Sequence, residues 1–172
     1  MDLSEQDLKK IKSLHVMLKM PIWILERETN RVLKSYKSIY KHPISYEFKE
    51  KNISDEVVRF YSGMLNEIFL CLWYQDVRIV IGAFRINNVT STEFSHVYDN
   101  LTPENKKILS EKECLEYYSS LPVYPLGDIR DYLILLGFLF DMNLEEIYSE
   151  ELHKQVTENQ LELVRKSAED TA

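Results

Sequence analysis

The sequence predicts an α+β domain: an antiparallel sheet flanked by helices, with a further helix at the C-terminus. Three observations carry that expectation. Two almost wholly apolar runs, Ile68–Tyr74 and Val77–Phe84, are separated only by Gln75-Asp76, the pattern of a hairpin covered on both faces. Hydroxyl or acidic caps followed by apolar residues at helical spacing occur near the N-terminus and again in the second half. The length of 172 residues, with 45% apolar and 28% charged, suits one globular domain with an appended helix. A chain of this size buries a core without disulfides or metals.

Each element has its own local signal. A first helix is expected over residues 3–19. Ser4 can cap it, Asp7 takes the capping-box position, and Leu8, Ile11, Leu14, His15 and Leu18 share one face. Pro21 stops it. Ile22–Glu26 reads as a short strand, residues 27–30 as a turn and residues 31–37 as the returning strand. Residues 44–48 alternate apolar and polar, which predicts another strand. Ser54, followed by Asp55 and Glu56, predicts a helix reaching about Leu65. The hairpin over residues 68–84 is expected at the centre of the sheet.

Residues 89–101 read as a polar connection, with Asn87-Asn88 and Asp99-Asn100 as turn signals. Thr102-Pro103-Glu104 opens a helix expected to reach about Ser119, with Pro at its first position. Pro122 and Pro125 punctuate the next loop, and Asp128 is placed to cap a helix over residues 129–141. Asn143 is placed to cap a last helix reaching about Ser167. On it Leu144, Tyr148, Leu152, Val156 and Leu163 form a narrow stripe that suits a two-helix seam. The chain thus divides into an α/β domain over residues 1–142 and a linker and dimerisation helix over residues 143–172.

Composition narrows the function. The formal net charge of −7 lacks the electrostatic footprint of a nucleic-acid binder. The densest basic stretch, Arg31, Lys34, Lys37 and Lys41, reads as a solvated face. Cys71 and Cys114 are far apart and follow no metal or redox spacing. The opening MDLSEQDLKK has no apolar core of a signal peptide. A reducing, cytoplasmic setting is expected. The longest apolar run, residues 132–140, is far short of the roughly 20 residues that cross a bilayer, so no membrane partner is expected.

The sequence carries no recognisable catalytic or cofactor signature. Only 4 glycines occur, in no phosphate-binding pattern. His15, His42, His96 and His153 have no partners at metal-ligand spacing. Glu111, Glu113, Glu116, Glu145, Glu146, Glu150 and Glu151 fall on expected helix surfaces. No GxSxG elbow is present, and the apolar neighbours of Cys71 predict an inert thiol. The expectation is a non-enzyme with no catalytic residue, cofactor or metal. The aromatics are more suggestive. Trp23, Tyr46, Phe69, Trp73 and Phe84 lie on or beside expected strands and can line a small-molecule pocket, with Arg78 or Arg85 as polar anchor. The plainer alternative is that these rings fill the core. Strict alternation along Val77–Phe84 places Arg78, Val80, Gly82 and Phe84 on one face.

Three stretches together resemble the N-terminal region of AraC-type transcriptional regulators of Gram-positive bacteria. They are HVMLKMPIWIL over residues 15–25, the hairpin over residues 68–84, and Leu121-Pro122 leading into YLILLGFLF over residues 132–140. A helix leading into a strand-turn-strand is also similar to PAS and GAF sensor folds, an analogy of fold only. The resemblance implies a GAF/PAS-like sensor and dimerisation region. It implies a homodimer joined through the C-terminal stripe, a small-molecule effector as the signal, and DNA reached only through a separate domain outside this chain. It carries no ligand residues. The alternative is a stand-alone protein-interaction module with a filled core and no ligand, using residues 129–140 and the terminal stripe.

Overall fold

The computed structural model describes residues 3–37, 58–63, 65, 67–86 and 90–143. The chain opens with α1 (Glu5–Leu18), capped as expected. The Ser4 hydroxyl accepts from the Asp7 amide at 3.1 Å, and the Asp7 carboxylate accepts from the Ser4 amide at 3.2 Å. Lys19 takes a left-handed conformation that ends the helix, and the His15 ring donates from Nδ1 to the Met20 carbonyl at 2.7 Å. His15 is therefore a satisfied boundary histidine. The hairpin of β1 (Ile22–Glu26) and β2 (Val32–Tyr36) follows. Asn30, at φ 57°, makes its turn, a conformation that Asn tolerates better than most residues.

The remaining strands are β3 (Val58–Ser62), β4 (Ile68–Tyr74) and β5 (Val77–Phe84). All adjacent pairs are antiparallel, in the order β2-β1-β5-β4-β3. The expected Gln75-Asp76 turn joins β4 to β5. Every residue of β5 is buried, because this central strand is covered on both faces. Alternation sends the strand side chains into two cores. One joins Ile22, Ile24, Leu70, Leu72, Ile79 and Ile81 to α1 and to α5 (Leu126–Leu139). The other joins Leu25, Phe69, Cys71 and Val80 to α2 (Ser91–Asp99) and α4 (Glu111–Ser120).

Two tyrosines clamp α1 at its ends. The Tyr124 hydroxyl donates to the Leu18 carbonyl at 2.6 Å, and the Tyr74 hydroxyl donates to Asp7 at 2.9 Å. Burial alone pushes the Asp7 carboxyl up. The hydrogen bonds from Tyr74 and Ser4, with Lys10 nearby, outweigh it and hold the carboxyl below its ordinary value. A depressed folded pKa contributes stability above the ordinary carboxylate range and loses it as pH falls through the folded value. Tyr74→Phe is expected to cost about 1.5 kcal/mol at pH 7, the low end for a bond to a charged partner, because the pair is only partly buried. Urea unfolding at pH 7 and pH 3 checks it, since the cost should shrink once Asp7 is protonated.

Several expectations are corrected. The helix expected from Ser54 does not include residues 58–62, which form β3. Val58, Phe60 and Tyr61 are β-formers, and pairing along β4 overrides the local cap signal. The polar connection over residues 89–101 contains α2. Thr90 and Glu93 make a full capping box, and Phe94, Val97 and Leu101, at helical spacing, are buried. The helix expected over residues 102–119 is two helices, α3 (Pro103–Ile108) and α4, because Leu109 is extended and Ser110 caps anew. α5 starts two residues before Asp128, after Pro125 rather than at an acidic cap, and stops at Leu139. The strand expected over residues 44–48 and the stripe on residues 144–163 lie outside the described residues.

The alternation expected along β5 also fails at its end. The register steps from Phe69↔Gly82 to Ile68↔Phe84, which leaves Ala83 without a partner. Ala83 therefore joins the α2/α4 core, and Phe84 turns to the α1/α5 core. Gly82 permits this, with φ at 154° and no Cβ. An added Cβ would lie 2.7 Å from the Phe69 ring and 2.9 Å from the Ile68 carbonyl oxygen. Gly82→Ala is expected to cost about 2–3 kcal/mol, from overpacking and an unfavourable backbone, as measured by thermal unfolding.

Candidate functional site

The bulge at Ala83 splits the aromatic set. Trp23 and Phe69 meet on the α2/α4 side at 6.3 Å between ring centroids. Trp73 and Arg78 are cross-strand partners on the same side, with the guanidinium carbon 3.9 Å from the ring centroid. Arg27 approaches the same indole at 4.5 Å. Phe84 lies on the opposite side of the sheet, edge-on to Phe60 and Tyr124 at 6.5 and 5.9 Å. It cannot share a pocket with the other four. Tyr46 lies outside the described residues, as do Leu144, Tyr148, Leu152, Val156 and Leu163 of the expected dimer interface.

A cavity does open around Phe84, between the sheet and α5. It is lined by apolar groups including Leu18, Phe60, Tyr124, Ile129 and Leu133, and its volume is about 20 Å³. That is the space of one water molecule, whereas a pocket for a small-molecule ligand needs roughly 300 Å³ or more. On this side of the sheet the rings fill the core.

The other side holds two buried charged side chains. Glu67, between β3 and β4, is fully buried. Its carboxyl lies over Gly63, where an added Cβ would coincide with Oε1. The Leu65 amide donates to Oε1 at 3.4 Å, and the Tyr117 hydroxyl of α4 also donates to the carboxyl. Oε2 is sealed with no hydrogen-bond partner among the described residues. Burial pushes this carboxyl up to about 7, against the pull of the two donors. Sequence reasoning missed it, because an acid in a short polar connection has the signature of a solvated turn. The one local hint is the glycine four positions earlier.

Arg85 follows β5 and is 9% exposed. Its Nη2 donates to the Leu121 carbonyl at 3.1 Å and lies 3.4 Å from that of Ser119. Its guanidinium sits 5.2 Å from the Tyr118 ring centroid. Arg85 is thus the C-terminal cap of α4, which satisfies carbonyls that a helix end leaves without partners. It does not anchor a ligand beside Trp73. Burial lowers its pKa and the Tyr118 neighbour raises it. Burial pushes Tyr118 up to about 12, with Arg85 opposing.

This arrangement offers little to a substrate. A carboxyl that titrates near neutrality suits general acid–base work, but Glu67 is closed off beneath its own turn and α4. Burial pushes the Cys71 thiol up to about 12, with Arg78 opposing, so it is inert as expected from its neighbours. Burial, then Glu113, Glu67 and Glu111, also raise Cys114. Among the described residues, no group of three or more His, Cys, Asp or Glu is placed to hold a metal ion, and no helix is long and apolar enough to cross a membrane. Compared with known proteins, the chain matches no family model, no curated sequence and no solved structure.

Proposed function

We propose that the chain is a regulatory domain: the GAF/PAS-like sensor and dimerisation region of an AraC-type transcriptional regulator of the bacterial cytoplasm. It would couple a signal to a DNA-binding domain outside these residues. The observation that carries this reading is the element order. A capped helix leads directly into the β1–β2 hairpin, which joins a single antiparallel sheet with helices on both faces. The three stretches that resemble AraC-type sensor regions fall on α1–β1, on β4–β5, and on α5 with the segment leading into it. In this reading a homodimer forms through Leu144, Tyr148, Leu152, Val156 and Leu163. A signal then shifts the population between two dimer arrangements that it binds unequally. A small-molecule effector would meet Trp23, Phe69, Trp73 and Arg78. No catalytic role is assigned to any residue.

Light scattering on the full chain tests the reading. The wild type is expected at twice the monomer mass, and Tyr148→Asp with Leu152→Asp is expected at the monomer mass. A wild type that stays monomeric at high concentration counts decisively against it. One observation favours the stand-alone protein-interaction module instead: the 20 Å³ cavity beside α5 has no room for a ligand. A screen of apolar and anionic small molecules by thermal shift separates the two. Stabilisation that is lost in Arg78→Met supports the sensor. No stabilisation by any compound supports the interaction module.

A further inference from the structure

We propose that Gly63, Leu65 and Glu67 form a proton-operated latch between the edge strand β3 and α4. It is closed while the Glu67 carboxyl is protonated in the niche over Gly63, and open when the carboxylate leaves it.

The closed state is defined by contacts at both ends of the turn. The Gly63 amide donates to the Glu67 carbonyl at 2.8 Å, which closes the turn. Leu65, at its tip, is fully buried in the α2/α4 core. The Glu67 side chain fills the space left by the missing Cβ of Gly63. Leu65 and Glu67 therefore hold β3 and α4 together through one apolar and one acidic side chain.

The niche suits a neutral carboxyl and not a carboxylate. The groups that face Glu67 from α4 are Tyr117, which donates to it, and Cys114 and Tyr118, whose electrostatic fields overlap with its own. All three are uncharged at neutral pH. Glu93 of α2 and Arg85 after β5 act on Tyr118 rather than on Glu67. The Arg85 cation donates to carbonyls of α4. The negative charge thus has no cation beside it among the described residues, and one of its oxygens has no donor. An ionised carboxylate so placed is costly, and hydration outside the niche relieves it.

Opening has a defined structural consequence. Among the described residues β3 pairs only with β4, and its last pair, Ser62↔Ile68, lies beside the latch. Release of Glu67 from the niche frees that end of the strand and uncovers Leu65. The burial that pushes Glu67 up to about 7 sets the working range around neutral pH.

Two measurements on the wild-type full chain test the latch: the side-chain carboxyl carbon shift of Glu67 by NMR, and amide-exchange protection at Gly63, both from pH 5 to 9. The shift is expected to titrate near neutrality, and protection is expected to fall at least ~10-fold across the same transition, about one pKa unit of coupling. Glu67→Gln should keep its protection at all pH values. Gly63→Ala, which fills the niche, should show the open, low protection even at pH 5. A Glu67 titration in the ordinary carboxylate range overturns the proposal. So does protection that stays constant through the transition, or a pH-dependent loss that survives in Glu67→Gln.

Discussion

Phe94→Ala is expected to lower the unfolding free energy by about 3–5 kcal/mol, as much as the removal of a large side chain from the middle of any packed core. Phe94 is 1% exposed and its ring lies 5.3 Å from that of Tyr118. Val97, Leu101 and Leu109 complete the same cluster. Truncation leaves a cavity between α2 and α4 that neither helix can close, because both are also tied to the sheet through Phe69, Cys71 and Val80. Thr92→Ala, on the exposed side of the same helix, should stay within about 0.5 kcal/mol of wild type. Urea unfolding of the two variants checks the pair. If Phe94→Ala is as silent as Thr92→Ala, α2 does not cover the second face of the sheet.

Glu67→Gln is expected to stabilise the protein at pH 8 and to leave it nearly unchanged at pH 5. The folded chain holds the Glu67 proton at about 7, against a reference of 4.5. A raised folded pKa contributes stability that is fully present below the unfolded value and lost as pH rises through the folded one. The window therefore runs from pH 4.5 to about 7. At about 1.4 kcal/mol per unit, the difference of 7 − 4.5 bounds the loss at roughly 3.5 kcal/mol. Asp7 acts with the opposite sign and at lower pH, so the two effects do not overlap. Urea midpoints at pH 5, 6, 7 and 8 measure the slope, which the Gln variant should remove. A wild-type stability that is flat from pH 5 to 8 would mean that the carboxyl is hydrated in the folded state.

The features readable from sequence are those whose physics is local. The Ser4–Asp7 capping box is made within one turn of helix. The Gln75-Asp76 turn lies between two apolar runs that only cover on both faces can satisfy, and the structure buries all of β5. Pro21 and the turn at Asn30 set the first hairpin in the same way.

Other features depended on partners far along the chain. Residues 58–62 became a strand because β4 offers an unpaired edge, although Ser54 signals a helix. Phe94 and Val97 found a core only because the sheet has a second apolar face. One unpaired residue, Ala83, turned Phe84 away from Trp23, Phe69, Trp73 and Arg78, and so divided the expected pocket. Arg85 became a helix cap because the end of α4 comes to it.

Sequence alone thus determined an antiparallel sheet built around one central hairpin, since caps, turns and apolar runs act between near neighbours. Only the tertiary structure decided which side chains share a face and which charge is buried. Those outcomes depend on register and cover, and for Glu67 on a missing Cβ that becomes a niche only when the turn folds back beneath α4.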